Sequence, residues 1–149
     1  MTRRLLLATV LVTTIACGLK NDPLAPQLVQ PDPPGNLAVA SVAEGVRVSW
    51  RRPNRYSGGG KMNDLAYVAV ERAPGEGAAP VFTEVGRVTV VDRERFRQER
   101  RTTWVDTNAP VGSRFLYRAI AVTLDDYYSK PAGPVAITVG QAEPEKPQD

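Results

Sequence analysis

The stretch 45–53, Gly-Val-Arg-Val-Ser-Trp-Arg-Arg-Pro, constrains the fold more than any other part of the chain. Val46, Val48 and Trp50 alternate with Arg47, Ser49 and Arg51. Successive strand side chains point to opposite faces, so this alternation predicts a β-strand with one face buried and one wet. Trp50 is the largest apolar side chain on the inner face and a natural centre for a core. Pro53 ends the strand because it has no N–H to give to a ladder.

Short strands with turn signals between them recur on both sides of this one. Alternation at Leu37 and Val39 predicts a strand over 36–41. Ala43-Glu44-Gly45 is a turn with glycine placed for positive φ. Further strands are expected over 65–72 with Tyr67 and Val70, and within 81–90, broken near Gly86. Three more are expected over 102–106 with Trp104 inward, over 114–123 and over 134–139. No stretch carries a convincing amphipathic helix. Seven short alternating strands point to an all-β, antiparallel, immunoglobulin-like sandwich. The chain has 149 residues, which suggests one domain plus tails.

The order and spacing of these residues resemble the fibronectin type III family. Pro33-Pro34-x-x-Leu37-x-Val39 is similar to its strand A, and Val46-x-Val48-Ser49-Trp50-x-x-Pro53 to its strand B. Tyr67 matches the strand C aromatic. Gly112-x-x-Phe115-x-Tyr117-x-Ala119-x-Ala121-Val122-Thr123, then Ser129 and Pro131, resembles strand F and the approach to strand G. The resemblance spans 33–139 and implies a seven-stranded fibronectin type III-like sandwich. Two departures stand out. Phe115 occupies the position where the family commonly has a tyrosine whose hydroxyl bonds back to the backbone, so the E–F corner must be held otherwise. The stretch 91–101 is longer and more charged than the usual connection from strand C′ to strand E.

Residues 1–16 read as a targeting segment. Arg3 and Arg4 give a positive start, and an apolar run of about 12 residues follows, short of the roughly 20 needed to span a bilayer. The run ends Thr14-Ile15-Ala16-Cys17-Gly18, and Cys17 is the only cysteine. A small residue just before a cysteine resembles the lipobox of bacterial lipoproteins. That implies cleavage before Cys17, lipidation of its thiol and acylation of its amine. Thr14 departs from the aliphatic residue the pattern prefers. A cleaved secretory peptide with an incidental cysteine is the alternative. Loss of residues 1–16 leaves 17 basic against 16 acidic side chains, so the formal +3 of the whole chain is partly the leader's.

Residues 18–34 carry five prolines and little apolar content, so the linker 17–33 is expected to be extended and semi-rigid, with a reach on the order of 50 Å. Cys17-Gly18-x-Lys20 with Pro23-Leu24 and Pro26 resembles the opening of small envelope lipoproteins, including one that attends the lipopolysaccharide translocon. Here Asn21-Asp22 replaces a single glycine. A spacer that merely begins in this manner is the plainer alternative. Gly18, rather than aspartate, follows the cysteine, which in enteric-type sorting implies export to the outer membrane. The domain then runs 34–140, and 141–149 reads as a disordered polar tail.

The chemistry-bearing residues point away from catalysis. Histidine is absent, which removes the commonest general base and metal ligand. A lone cysteine forms no intramolecular disulfide and no cysteine-based zinc site. Gly58-Gly59-Gly60-Lys61 fails as a phosphate loop: Arg55 stands at the first glycine, and Met62 replaces the Ser/Thr that would hold magnesium. Asp125-Asp126 reads as a solvated turn, and the alternating charges of 92–101 as a self-paired surface. No cofactor, nucleic acid or small-molecule substrate is implied. The rival class, an enzyme with an unrecognised site, lacks a nucleophile–base pair.

What remains is contact chemistry. Exposed loop tyrosines offer rigid area with a polar tip, which favours Tyr127 and Tyr128, unless one of them folds back on the sandwich. An up-and-down strand count puts 52–64, 91–101 and 124–130 at one end, where the tether also joins. Arg52, Arg55, Arg97 and Arg101 fall there as contacts for anionic head groups or an envelope protein. The expectation is a lipid-anchored envelope protein with a binding or structural role. An accessory role in outer-membrane or lipopolysaccharide assembly is the alternative.

Overall fold

The computed structural model describes residues 25–91 and 101–140. The segments 1–24, 92–100 and 141–149 lie outside the described residues. The targeting segment, Cys17, Arg97 and the polar tail therefore fall beyond the structural account.

One helical turn, α1 (Pro26–Val29), precedes seven strands. These are β1 (Gly35–Val42), β2 (Gly45–Arg51), β3 (Leu65–Pro74), β4 (Thr83–Thr89), β5 (Arg101–Asp106), β6 (Arg114–Thr123) and β7 (Ala132–Thr138). They form two antiparallel sheets, ordered β1-β2-β5 and β4-β3-β6-β7. The fold is the seven-stranded sandwich that the sequence predicts. The fourth strand joins β3, as its C′ label supposes.

Alternation fixes the inner faces. Val46, Val48 and Trp50 of β2 meet Val68 and Val70 of β3 and Tyr117, Ala119 and Ala121 of β6 in one core, with Trp50 1% exposed. Gly45 sits at φ +142°, where an added Cβ would lie 2.1 Å from the Asp106 carbonyl oxygen. That position tolerates no side chain. The expected break near Gly86 is a one-residue bulge. Val70 pairs with Gly86 and Glu71 with Glu84, leaving Val85 extra. The Trp104 ring then closes over Gly86, where a Cβ would stand 2.2 Å from the ring.

The missing corner tyrosine has a replacement one turn of the strand pattern further on. Tyr117, fully buried, donates its hydroxyl to Asp106 Oδ2 at 2.8 Å. Arg72 Nη1 donates to the same oxygen at 2.7 Å, and the Asn108 N–H to Oδ1 at 3.0 Å. Phe115 supports the guanidinium of Arg72, 4.5 Å from its ring centroid. Asp106 is 2% exposed, so its charge is tolerable only because these donors surround it. The bond that Phe115 cannot make is thus supplied by a buried carboxylate tying β3, β5 and β6 together.

Candidate functional site

The register places the connections 52–64 and 124–131 at one end of the sandwich. Leu65 pairs with Thr123, Arg51 with Arg101, and Gly35 with Arg51. The connections 52–64 and 124–131, the entry of the chain, Val90 and Arg101 therefore share one pole.

The β2–β3 connection is a small ordered hairpin. Arg55 bridges Lys61, the Tyr56 N–H donates to Gly60 O at 2.8 Å, and the Gly59 N–H to Tyr56 O at 2.8 Å. The glycine run forms its tip. Met62 turns inward and is 3% exposed, so it serves the core. At the base, Tyr56 donates its hydroxyl to Asp64 Oδ1 at 2.7 Å. Burial first, then this bond, raises the Tyr56 hydroxyl above its ordinary pKa. The Leu124 N–H donates to Asp64 O at 2.8 Å and joins this loop to its neighbour.

The β6–β7 connection is equally ordered. The Thr123 N–H donates to Tyr127 O at 3.1 Å, and Thr123 Oγ1 accepts from the Tyr127 N–H at 3.1 Å. Ser129 is buried and pins the return strand to Ala121 through both its N–H and its Oγ. Asp125 and Asp126 occupy the exposed turn, with Asp126 at φ +59°, a conformation that aspartate tolerates. Tyr127 is 38% exposed and Tyr128 54%. The Tyr128 side chain also reaches Tyr67, whose hydroxyl pKa is raised by burial and then by the bond to Tyr128. Arg87 lies over the Tyr67 ring at 4.4 Å. Tyr128 thus leans on the sandwich yet stays half open.

A third component was read from sequence only as spacer. Residues 25–32 lie across the two loops. The Gln30 side-chain amide donates to Tyr128 O at 2.8 Å, and the Ser57 N–H donates to Gln30 O at 2.8 Å. The Asp32 N–H donates to Arg55 O at 2.9 Å, Pro31 bridges Tyr56, and Pro31 is buried. Leu28 rests on Gly58, where a Cβ would meet its side chain at 2.8 Å. The prolines favour an extended chain but do not say what it touches. The apolar pair Leu28-Val29 was the available signal.

Of the expected contact residues, Tyr127, Tyr128, Arg52, Arg55 and Arg101 share this pole. Arg101 belongs to β5 rather than to a loop, and its Nη2 donates to Ser49 Oγ at 2.8 Å on the outer sheet face. Arg97 lies outside the described residues. Among the described residues no group of three or more His, Cys, Asp or Glu side chains is placed to hold a metal ion. An open cleft of about 510 Å³ lies at the opposite pole, lined by Glu76 and Arg114 among others.

No family model and no curated protein matches the chain. Solved structures do. The kinase region of twitchin from C. elegans matches 74% of this chain at 20% identity, with a TM-score of 0.52. Domains A168–A170 of titin match 74% at 23% identity, also with a TM-score of 0.52. The chain spans 17% and 32% of those two structures' own lengths. At such identities the likeness establishes the fold alone: an all-β sandwich of the immunoglobulin-like or fibronectin type III-like kind.

Proposed function

We propose that this protein is a lipid-anchored component of a bacterial cell envelope whose sandwich is a non-enzymatic binding or structural module. Two features support the reading. Cys17 is the sole cysteine and directly follows an apolar run too short to span a bilayer. The observation that carries the functional half is the convergence at one pole of residues 25–32, the glycine hairpin and the Tyr127-Tyr128 turn. Backbone bonds hold all three, so the exposed tyrosines sit in a pre-organised frame, which lowers the ordering cost of a contact. Arg52 and Arg55 at the same pole are candidate contacts for acidic groups.

The test is site-directed photocrosslinking from position 125 in the native envelope, in the otherwise native chain and in the variant carrying Tyr127→Ser and Tyr128→Ser. Those substitutions leave the backbone acceptors of Thr123 and Gln30 in place. The expected result is crosslinks at the pole that the double variant loses while it still unfolds cooperatively, with a melting point lowered by no more than a few degrees for the lost Tyr67–Tyr128 bond. An equal crosslink pattern from Val111, at the opposite end, would refute the pole as the working surface.

A further inference from the structure

We propose that the elaborated pole rests in the head-group zone of the bilayer that holds Cys17, with Leu28, Leu124, Tyr127 and Tyr128 as its lipid contacts. The inference rests on the lipid-anchor reading above and names the occupant of the same pole. Its first support is the length of the tether. The linker 17–33 alone suggests a reach on the order of 50 Å, but residues 25–32 are bonded to the domain. Only the eight residues 17–24 are left to span the gap, at most about 28 Å fully extended. A ten-residue strand such as β6 is itself about 33 Å long. The tether is therefore no longer than the domain, and it leaves from this pole. The opposite pole cannot approach the membrane as easily as this one.

The second support is where apolar surface is exposed. Leu28 is 46% exposed, Leu124 54%, Tyr127 38% and Tyr128 54%, whereas elsewhere only the smaller Val81 and Val111 are comparably exposed among the described large apolar side chains. All four project from the tethered end. Tyrosine favours the membrane–water boundary because its ring is apolar and its hydroxyl is wet. The number of such side chains also favours lipid over protein. A specific protein interface engages about 20–30 residues a side. A handful of apolar side chains is enough for a bilayer when the anchor already supplies a high effective concentration. Asp125 and Asp126 lie between Leu124 and Tyr127, so contact at this turn is shallow.

The experiment uses the mature lipidated protein in phosphatidylcholine vesicles whose acyl chains are brominated, which quenches nearby tryptophan. The Tyr127→Trp and Leu124→Trp variants report on this pole and Val111→Trp on the other. Wild type corrects for Trp50 and Trp104. The expected result is quenching at positions 127 and 124 at least about threefold that at 111. Equal quenching at both poles in a protein with acylated Cys17 would overturn the membrane contact. Unquenched positions 127 and 124 with crosslinks to a single protein in native envelopes would overturn it in favour of a protein partner. Absence of acyl chains at Cys17 would instead remove the anchor on which the inference stands, a failure that mass spectrometry separates from the other two.

Discussion

Removing the Asp106 carboxylate tests how the corner between β5 and β6 is held. In Asp106→Ala the Tyr117 hydroxyl, fully buried, loses its acceptor at 2.8 Å. A buried donor left without a partner costs about 1–3 kcal/mol. The Arg72 guanidinium loses its ion-pair partner at 2.7 Å but keeps the Asn108 carbonyl at 3.3 Å and the Phe115 ring. Its side chain is 21% exposed, so water recovers part of the loss. The Asn108 N–H lies in an exposed turn and is satisfied by solvent. The total is about 3–5 kcal/mol, the range for breaking a buried pair by deleting one partner. That corresponds to a Tm drop on the order of 15–25 °C for a domain of this size. Urea unfolding at pH 7 of wild type, Asp106→Ala, Tyr117→Phe and the double variant provides the assay. Tyr117→Phe alone is expected to cost about 1 kcal/mol, and less in the Asp106→Ala background because the two share one bond. A loss below about 1.5 kcal/mol for Asp106→Ala, with unchanged m-value, would refute the corner as described.

Trp50→Ala is expected to cost about 3–5 kcal/mol by opening a cavity at the centre of the core, and a variant melting within a few degrees of wild type would contradict the burial. Trp50→Phe is expected to cost much less, since it also removes Nε1–H, a buried donor without a partner among the described residues. Gly86→Ala sets a Cβ 2.2 Å from the Trp104 ring and is expected to destabilise by about 1–3 kcal/mol, readable by the same unfolding curves and by altered Trp104 fluorescence. Burial, and then the bond to Asp106, raises the Tyr117 hydroxyl, so the folded chain keeps this proton to higher pH than the unfolded chain does. Stability is thus intact below about pH 10 and falls above it, a contribution that Tyr117→Phe removes.

The sandwich was legible because its strands write a period of two: Val46, Val48 and Trp50 on one face, Tyr117, Ala119 and Ala121 on another. The bulge near Gly86 was legible as a glycine inside a strand pattern. The Asp106 centre was not, because its donors stand 34 residues before it and 11 after it, and no local pattern joins them. Phe115 was the hint that something replaced the usual corner bond. Arg101 read as part of a charged loop, yet it opens β5, because the ladder to β2 runs on to Arg51. The seat of residues 25–32 escaped notice since proline content reports chain stiffness and not the surface the chain meets. Tyr127 and Tyr128 were legible as exposed turn tyrosines, and the frame around them came only with the fold.

The lipid anchor at Cys17 is the claim from which the tether length, the orientation of the pole and the envelope address all follow. Intact mass and N-terminal peptide mass spectrometry of the mature protein from membranes measure it directly. The account predicts a chain that begins at Cys17, carrying acyl chains on that residue and lost from membranes in Cys17→Ser. A mature chain with an unmodified Cys17 thiol, or one that begins elsewhere and is recovered without detergent, would contradict it.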